Sequence, residues 1–249
     1  ISDLDNAYFN GEDMFFGTGK DTFWPLVSID VIGHELGHGV VQGLGGLEYK
    51  GHSGALNESL ADVLGCMFEF FIQQEHGNMP GFRDVDPDFF IGEDLGVNTR
   101  YLRNMENPEA AAQPQPRALG GKHYVDPNSS FDHGGVHVNS GIPNFVFVQL
   151  CSIMGRDEAF DLVFETYRCH LKTRWTLQQY AEALVRLASE RTAVHTRKIQ
   201  DLLVKCRLCP PVPEPQRPPP NTSHSRWGRT WFPQRWPPRS HTLPRPWWH

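Results

Sequence analysis

Long apolar runs are missing from this chain. Nowhere do eighteen apolar residues follow one another, which excludes a transmembrane helix. Basic residues are not in excess: 23 Lys and Arg stand against 29 Asp and Glu, a net charge of −6, so the electrostatic footprint of a nucleic-acid binder is absent. The cysteines number five, an odd count that makes no disulfide framework. Cys66 and Cys151 sit in apolar stretches and read as small core residues, and Cys206-x-x-Cys209 has no second pair to complete a zinc site. No basic-then-apolar leader precedes Ile1, so the chain reads as a fragment or a processed piece. Hydrophobic residues at 39% and charged residues at 21% are slightly low for a wholly folded chain of 249 residues, which points to an unfolded part.

That part is visible at the end. From Arg207 to His249 proline, arginine and tryptophan alternate with almost no aliphatics, as in Pro218-Pro-Pro and Pro244-Arg-Pro-Trp-Trp248. Such a composition buries too little apolar area to offset the entropy of folding, and a disordered tail is expected over 207–249. Ahead of it, apolar residues at three- and four-residue spacing predict helices over 145–153, 159–171, 177–189 and 194–206. A longer apolar face predicts another from Ala55 to His76, ending near Gly77. The first nineteen residues carry aromatics bounded by Asn10-Gly11 and Gly17-x-Gly19, the pattern of two short strands joined by a turn.

The chemistry is concentrated in Val31-Ile-Gly-His-Glu-Leu-Gly-His-Gly-Val40. On a helix, His34 and His38 lie one turn apart on one face, where both imidazoles can reach a single metal ion. Glu35 stands just off that face, in reach of a water held by the metal. A second stretch, Asn57-Glu-Ser-Leu-Ala-Asp62, offers Glu58 as a third ligand and leaves a fourth position for water. Asp62, one turn further on, suits the free ring N–H of a ligand histidine.

His34-Glu-Leu-Gly-His38, then Asn57-Glu58-Ser-Leu-Ala-Asp62 with nineteen residues between His38 and Glu58, together resemble the thermolysin family of zinc metallopeptidases. Metzincins carry Gly and His where this chain has Val41 and Leu44, and the aminopeptidase relatives place their ligand glutamate where Asn57 stands. Two further stretches carry the resemblance: Asn6-Ala-Tyr-Phe-Asn-Gly11 and Asp132-His-Gly-Gly-Val-His-Val-Asn-Ser-Gly141. It implies an α+β fold of two lobes with zinc at their junction. Residues 1–54 would form a residual β-containing lobe with the first motif helix. Residues 55–206 would form a helical lobe.

The same resemblance implies roles for individual residues. Glu35 acts as base, Tyr49 and His137 steady the oxyanion, and Asp132 orients His137. Asn6 and the Ala7 backbone hold an extended substrate, Arg103 binds a substrate carbonyl, and Phe23, Leu26, Val31, Ile91 and Leu102 surround a pocket for a bulky apolar residue after the cut. Asp30, Glu69, Asp88 and Glu93 fall on calcium ligands, while Phe90 stands where a carboxylate would help build a double site, so one calcium is expected. A removable pro-segment and secretion are implied as well. Gln113-Pro-Gln-Pro116 departs from the family pattern, and much of its β-rich lobe has no counterpart here. The expected activity is zinc-dependent endopeptidase. Because the front wall of the cleft is missing, a catalytically silent zinc-binding module is the alternative.

Overall fold

A computed structural model describes residues 1–82, 86–96 and 101–211. Most of the expected tail, 212–249, therefore lies outside the described residues, as do Asp84 and Val85 of the acidic stretch. The described chain opens on an antiparallel pair, β1 (Ala7–Phe9) and β2 (Met14–Phe16), in the register Ala7–Phe16, Tyr8–Phe15, Phe9–Met14. Helix α1 (Ile29–Gly43) carries the first motif and α2 (Gly51–His76) the second. A second antiparallel pair, β3 (Phe90–Ile91) and β4 (Arg103–Asn104), places Ile91 opposite Arg103. Five helices follow: α3 (Asp132–Asn139), α4 (Gly141–Met154), α5 (Arg156–His170), α6 (Leu177–Arg191) and α7 (Thr196–Lys205).

Helix starts follow local chemistry where it is strong. Thr176 caps α6 by accepting from the Gln179 N–H, and the Gln179 side chain returns the bond to Thr176, a reciprocal pair that satisfies two otherwise orphaned donors. The start of α2 differs from expectation. It begins at Gly51 instead of Ala55, because the Ser53 hydroxyl bonds back to the carbonyls of Glu48 and Lys50 and Gly54 is pressed against Val136. His52 consequently sits in the first turn of α2, where its Nε2 meets the Tyr124 hydroxyl at 2.7 Å. The expected lobe boundary at 54/55 falls inside this helix.

Helices α1 and α2 cross at their small residues. A methyl added at Gly37 would meet the Ala61 Cα at 2.7 Å, one at Gly33 the Gly65 Cα at 2.9 Å, and one at Gly65 the Asp30 carbonyl oxygen at 2.5 Å. This approach of backbone to backbone is what brings His34 on α1 over Glu58 and Asp62 on α2. Gly→Ala inside a helix ordinarily stabilises by about 1 kcal/mol through propensity. At Gly37 the sign is expected to reverse, with a net loss of about 1–3 kcal/mol from overpacking. Urea unfolding of Gly37→Ala checks this, and a raised midpoint would contradict the close crossing.

The core lies between α2 and the later helices. Trp175, Tyr167 and Tyr180 are fully buried and pack with ring centroids 5.4–5.6 Å apart, two of the three pairs edge-to-face, and the Tyr167 hydroxyl donates to the Leu56 carbonyl at 2.9 Å. Packing continues past the expected end of the folded part: Leu208 is buried, and Leu119 N–H donates to the Cys206 carbonyl. Helix α1 is less buried than its apolar sequence suggests, with Leu36 half exposed on its outer face. Among the described residues no helix is long and apolar enough to cross a membrane.

Candidate metal centre and cleft

The two motif histidines are turned so that their Nε2 atoms face one another at 3.1 Å. Their far nitrogens are held from behind. His38 Nδ1 meets Asn57 Oδ1 at 2.8 Å, and His34 Nδ1 lies 2.8 Å from Asp62 Oδ1, at an angle short of a linear hydrogen bond. A ring that gives its Nδ1 proton to an oxygen presents a bare lone pair at Nε2. Two such lone pairs pointing at each other, with Glu58 oxygens 3.6 Å from each, make a nitrogen, nitrogen and carboxylate donor set that suits zinc. Asn57, which in the sequence serves only to exclude the aminopeptidase relatives, is the partner that orients His38. Only its side-chain type, an amide acceptor next to Glu58, hints at this.

Glu58 is fully buried, which alone would raise its pKa. The charges of His137, His34, His38 and Arg103 outweigh burial and bring it to about 2. Asp62 is likewise held low against burial, by Arg103 and His34, and Asn144 donates to its second oxygen at 2.8 Å. Arg103 reaches both acids, Asp62 Oδ1 at 2.8 Å and Glu58 Oε2 at 3.3 Å. Glu35 differs from these acids. Burial holds its carboxyl above the usual range, the His34 charge opposing and the Glu58 charge adding to the shift. One of its oxygens has no hydrogen-bond partner.

Opposite the histidines stands a second group. Tyr49 donates to Glu58 Oε1 at 2.5 Å and lies 3.1 Å from His137 Nε2. His137 is tied through Nδ1 to Asp132 Oδ1 at 2.6 Å, and its backbone N–H donates to the other Asp132 oxygen at 2.8 Å. The run Asp132 to Gly135 has positive φ throughout, so the backbone turns left-handed before His137 and aims that ring at the cleft. Burial and the Glu58 charge push the Tyr49 hydroxyl pKa far up, which keeps it a donor. His133, exposed in the same turn, has its ring 5.8 Å from that of Tyr49.

These groups line one cavity of about 560 Å³. Asn6, Ala7, Leu26, Val31, Ile91, Leu102 and Arg103 line it together with His34, Glu35, His38, Tyr49, Glu58 and His137. Phe23 does not. Its backbone is bridged to Gly96, and its half-buried side chain packs against the apolar core to which Leu26, Val31 and Ile91 also belong. Gln42 and Leu47, which no motif singles out, complete part of the wall.

A third cluster is acidic. Oxygens of Glu69, Asp88 and Glu93 lie within 4.8 Å of one another. Asp30 is not one of the three that converge, and one of its oxygens accepts the Gly92 N–H. Burial, with the Asp30 charge next, pushes Glu69 to about 9 and Glu93 to about 8. Asp30, Glu69 and Glu93 each keep one buried oxygen without a donor. Phe90 is stacked on Tyr101 with centroids 4.8 Å apart.

Two family models match in tandem, the catalytic domain of the thermolysin metallopeptidases over residues 2–42 and their alpha-helical domain over residues 45–202. The chain belongs to the thermolysin family of metallopeptidases. Among similar proteins, an extracellular metalloprotease of Pectobacterium carotovorum is 38% identical over 61% of this chain and 44% of its own length. A bacillolysin of Bacillus amyloliquefaciens is 34% identical over 76% and 33%. A solved structure, the precursor of protealysin, a metalloproteinase from Serratia proteamaculans, superposes with a TM-score of 0.72 at 31% identity, covering 83% of this chain and 66% of that one. The chain thus spans less than half the length of the first two relatives. The mostly helical fold with a small antiparallel part agrees with the expected partial first lobe and helical second lobe of the thermolysin fold.

Proposed function

We propose that this chain is the zinc-dependent peptide-hydrolysing part of a thermolysin-like endopeptidase. The observation that carries the reading is the convergence, in one cleft, of two lone-pair-bearing imidazoles and Glu58 with a buried, raised-pKa carboxyl at Glu35 and a donor pair at Tyr49 and His137. His34, His38 and Glu58 would hold the ion. Zinc, when bound, supplies Lewis acidity that polarises a carbonyl and lowers the pKa of water.

The chain's own residues account for the rest. Glu35 takes the proton of the attacking water and later delivers it to the leaving amine, and a pKa raised by burial suits it to both directions of transfer. Tyr49 and His137 donate toward the oxygen on which charge develops, and Asp132 keeps His137 oriented for that. Arg103, held by Asp62, offers a guanidinium to a substrate carbonyl. Asn6 and Ala7 bind the substrate backbone in extended form alongside β1. The apolar wall of Leu26, Val31, Ile91 and Leu102 favours a bulky apolar side chain after the scissile bond. Mapping the cleavage products of an unfolded protein by mass spectrometry tests this preference: new amino termini should be enriched in Leu, Ile, Val and Phe, and cuts before charged residues would refute it.

The acidic cluster is read as a single calcium site formed by Glu69, Asp88 and Glu93 with Asp30 adjacent. Oxygen-only donors and buried oxygens without a donor suit a hard cation. Without the ion, Glu69 and Glu93 have folded-state pKa values raised above their unfolded values, so the folded state gives up protons reluctantly. The metal-free protein is then most stable below about pH 4.5 as far as these two groups are concerned, and loses that stability as pH rises toward 8 and 9. Calcium should reverse the loss, raising the melting temperature at neutral pH as its free concentration increases. A melting temperature indifferent to calcium would remove the site, and calorimetry giving two ions per chain would remove the single-ion reading. By likeness to the extracellular relative, the setting proposed for the activity is outside the cell, and the solved precursor makes a pro-segment a natural partner.

A further inference from the structure

The Gln113-Pro-Gln-Pro116 stretch delivers Gln115 into the interior, where it is 3% exposed. Its Nε2 donates to the His137 carbonyl at 2.6 Å and to Ser140 Oγ at 3.1 Å, while Ser140 Oγ donates to the same His137 carbonyl at 2.7 Å. The amide orientation is settled by those partners: turned the other way, an oxygen would face the His137 carbonyl. The His137 carbonyl lies near the end of α3, just before the Ser140 corner from which α4 departs. A methyl at Gly141 would meet Gln115 Cβ at 2.5 Å, so the corner has a glycine where the glutamine side chain passes. Gln115 N–H is itself held by the Pro108 carbonyl at 2.9 Å.

We propose that Gln115 is a positioning residue for His137, the rear anchor that sets the height of the imidazole above the cleft. The front of the same segment is anchored by Asp132, which takes the His137 N–H and ring, and by Asn139, whose side chain pairs with Val125 and Gly134. Between these anchors the backbone runs through four consecutive residues of positive φ, a conformation costly for Asp132 and His133 and held only by its surroundings. Releasing the rear anchor lets the segment relax along its axis. His137 then loses its shared position with Tyr49, 3.1 Å away, while the His34, His38 and Glu58 group, carried on α1 and α2, stays in place.

The activity arm of the test rests on the peptidase reading, and a second arm does not. Gln115→Met keeps length without donors, and Gln115→Glu keeps shape but turns an oxygen toward the carbonyl. Each is expected to retain wild-type zinc content and to lower kcat by roughly tenfold or more with KM changed less than about twofold. Added to His137→Ala, Gln115→Met should change kcat by less than about twofold, because the two substitutions act through one imidazole. A second full loss in that background would show a merely structural role and overturn the proposal. Independently of turnover, the proton shared by His137 Nδ1 and Asp132 should give a downfield NMR signal that His137→Ala removes and Gln115→Met broadens. A wild-type protein that cuts no peptide would sink the peptidase reading and leave this arm standing. An unchanged signal together with wild-type kcat in Gln115→Met would overturn the role of Gln115.

Discussion

Glu35→Gln is expected to lower peptide turnover by about two to four orders of magnitude while zinc stays bound at the wild-type ratio. Glu35 shares a helix with both proposed ligand histidines yet is not one of the three donors that converge, and it lines the same cavity. Glutamine preserves size and polarity and removes only the capacity to take a proton. The buried carboxyl, with an oxygen that has no partner, is already in an environment that raises its pKa, so its basicity is higher than that of an exposed glutamate. A zinc-loaded Glu35→Gln protein with wild-type turnover would remove Glu35 from the mechanism. Loss of zinc in that variant would instead recast Glu35 as a ligand.

His38→Ala carries the second large effect. It deletes one of two imidazoles whose Nε2 atoms lie 3.1 Å apart and leaves the oriented Asn57 amide with nothing to hold. Two donors remain of three, which is too few to keep a tetrahedral zinc against solvent. Elemental analysis after dialysis should find zinc well below one per chain, and cleavage should fall to background. Full zinc retention would contradict the ligand assignment. Asn57→Ala is the graded control: the ring stays but its orientation is freed, and a loss of about 10–100-fold in zinc affinity is expected from an orienting partner.

Much of the proposed metal centre is legible in the amino-acid sequence, for reasons that differ from residue to residue. His34 and His38 are legible because the helix period alone superposes residues four apart. Glu58 and Asp62 are legible because the same period operates on the second helix. The pairing of those two helices is not, since it depends on Gly33, Gly37 and Gly65 allowing backbone contact, and glycines within a helix also read as mere weakness. The start of α2 escapes the sequence because Gly51, Ser53 and Gly54 carry loop propensity, which the bonds from Ser53 and the fit against Val136 override. Phe23 is placed near the pocket by resemblance alone, and here it is half-buried beside the core and bridged through its backbone to Gly96. Gln115 has no sequence signal at all, since its partner lies 22 residues on and no period or motif links them. Leu208 looks like tail by its neighbours, yet the turn after α7 returns it to the core.

The most direct test of the central claim is cleavage of a reduced, unfolded protein by this 249-residue chain, followed with and without a zinc chelator and after zinc is restored. Cleavage that a chelator stops, that stoichiometric zinc restores, and that His38→Ala lacks is the predicted result. A folded, zinc-loaded chain that leaves the substrate intact, or cleavage that proceeds unchanged in excess chelator, would contradict it.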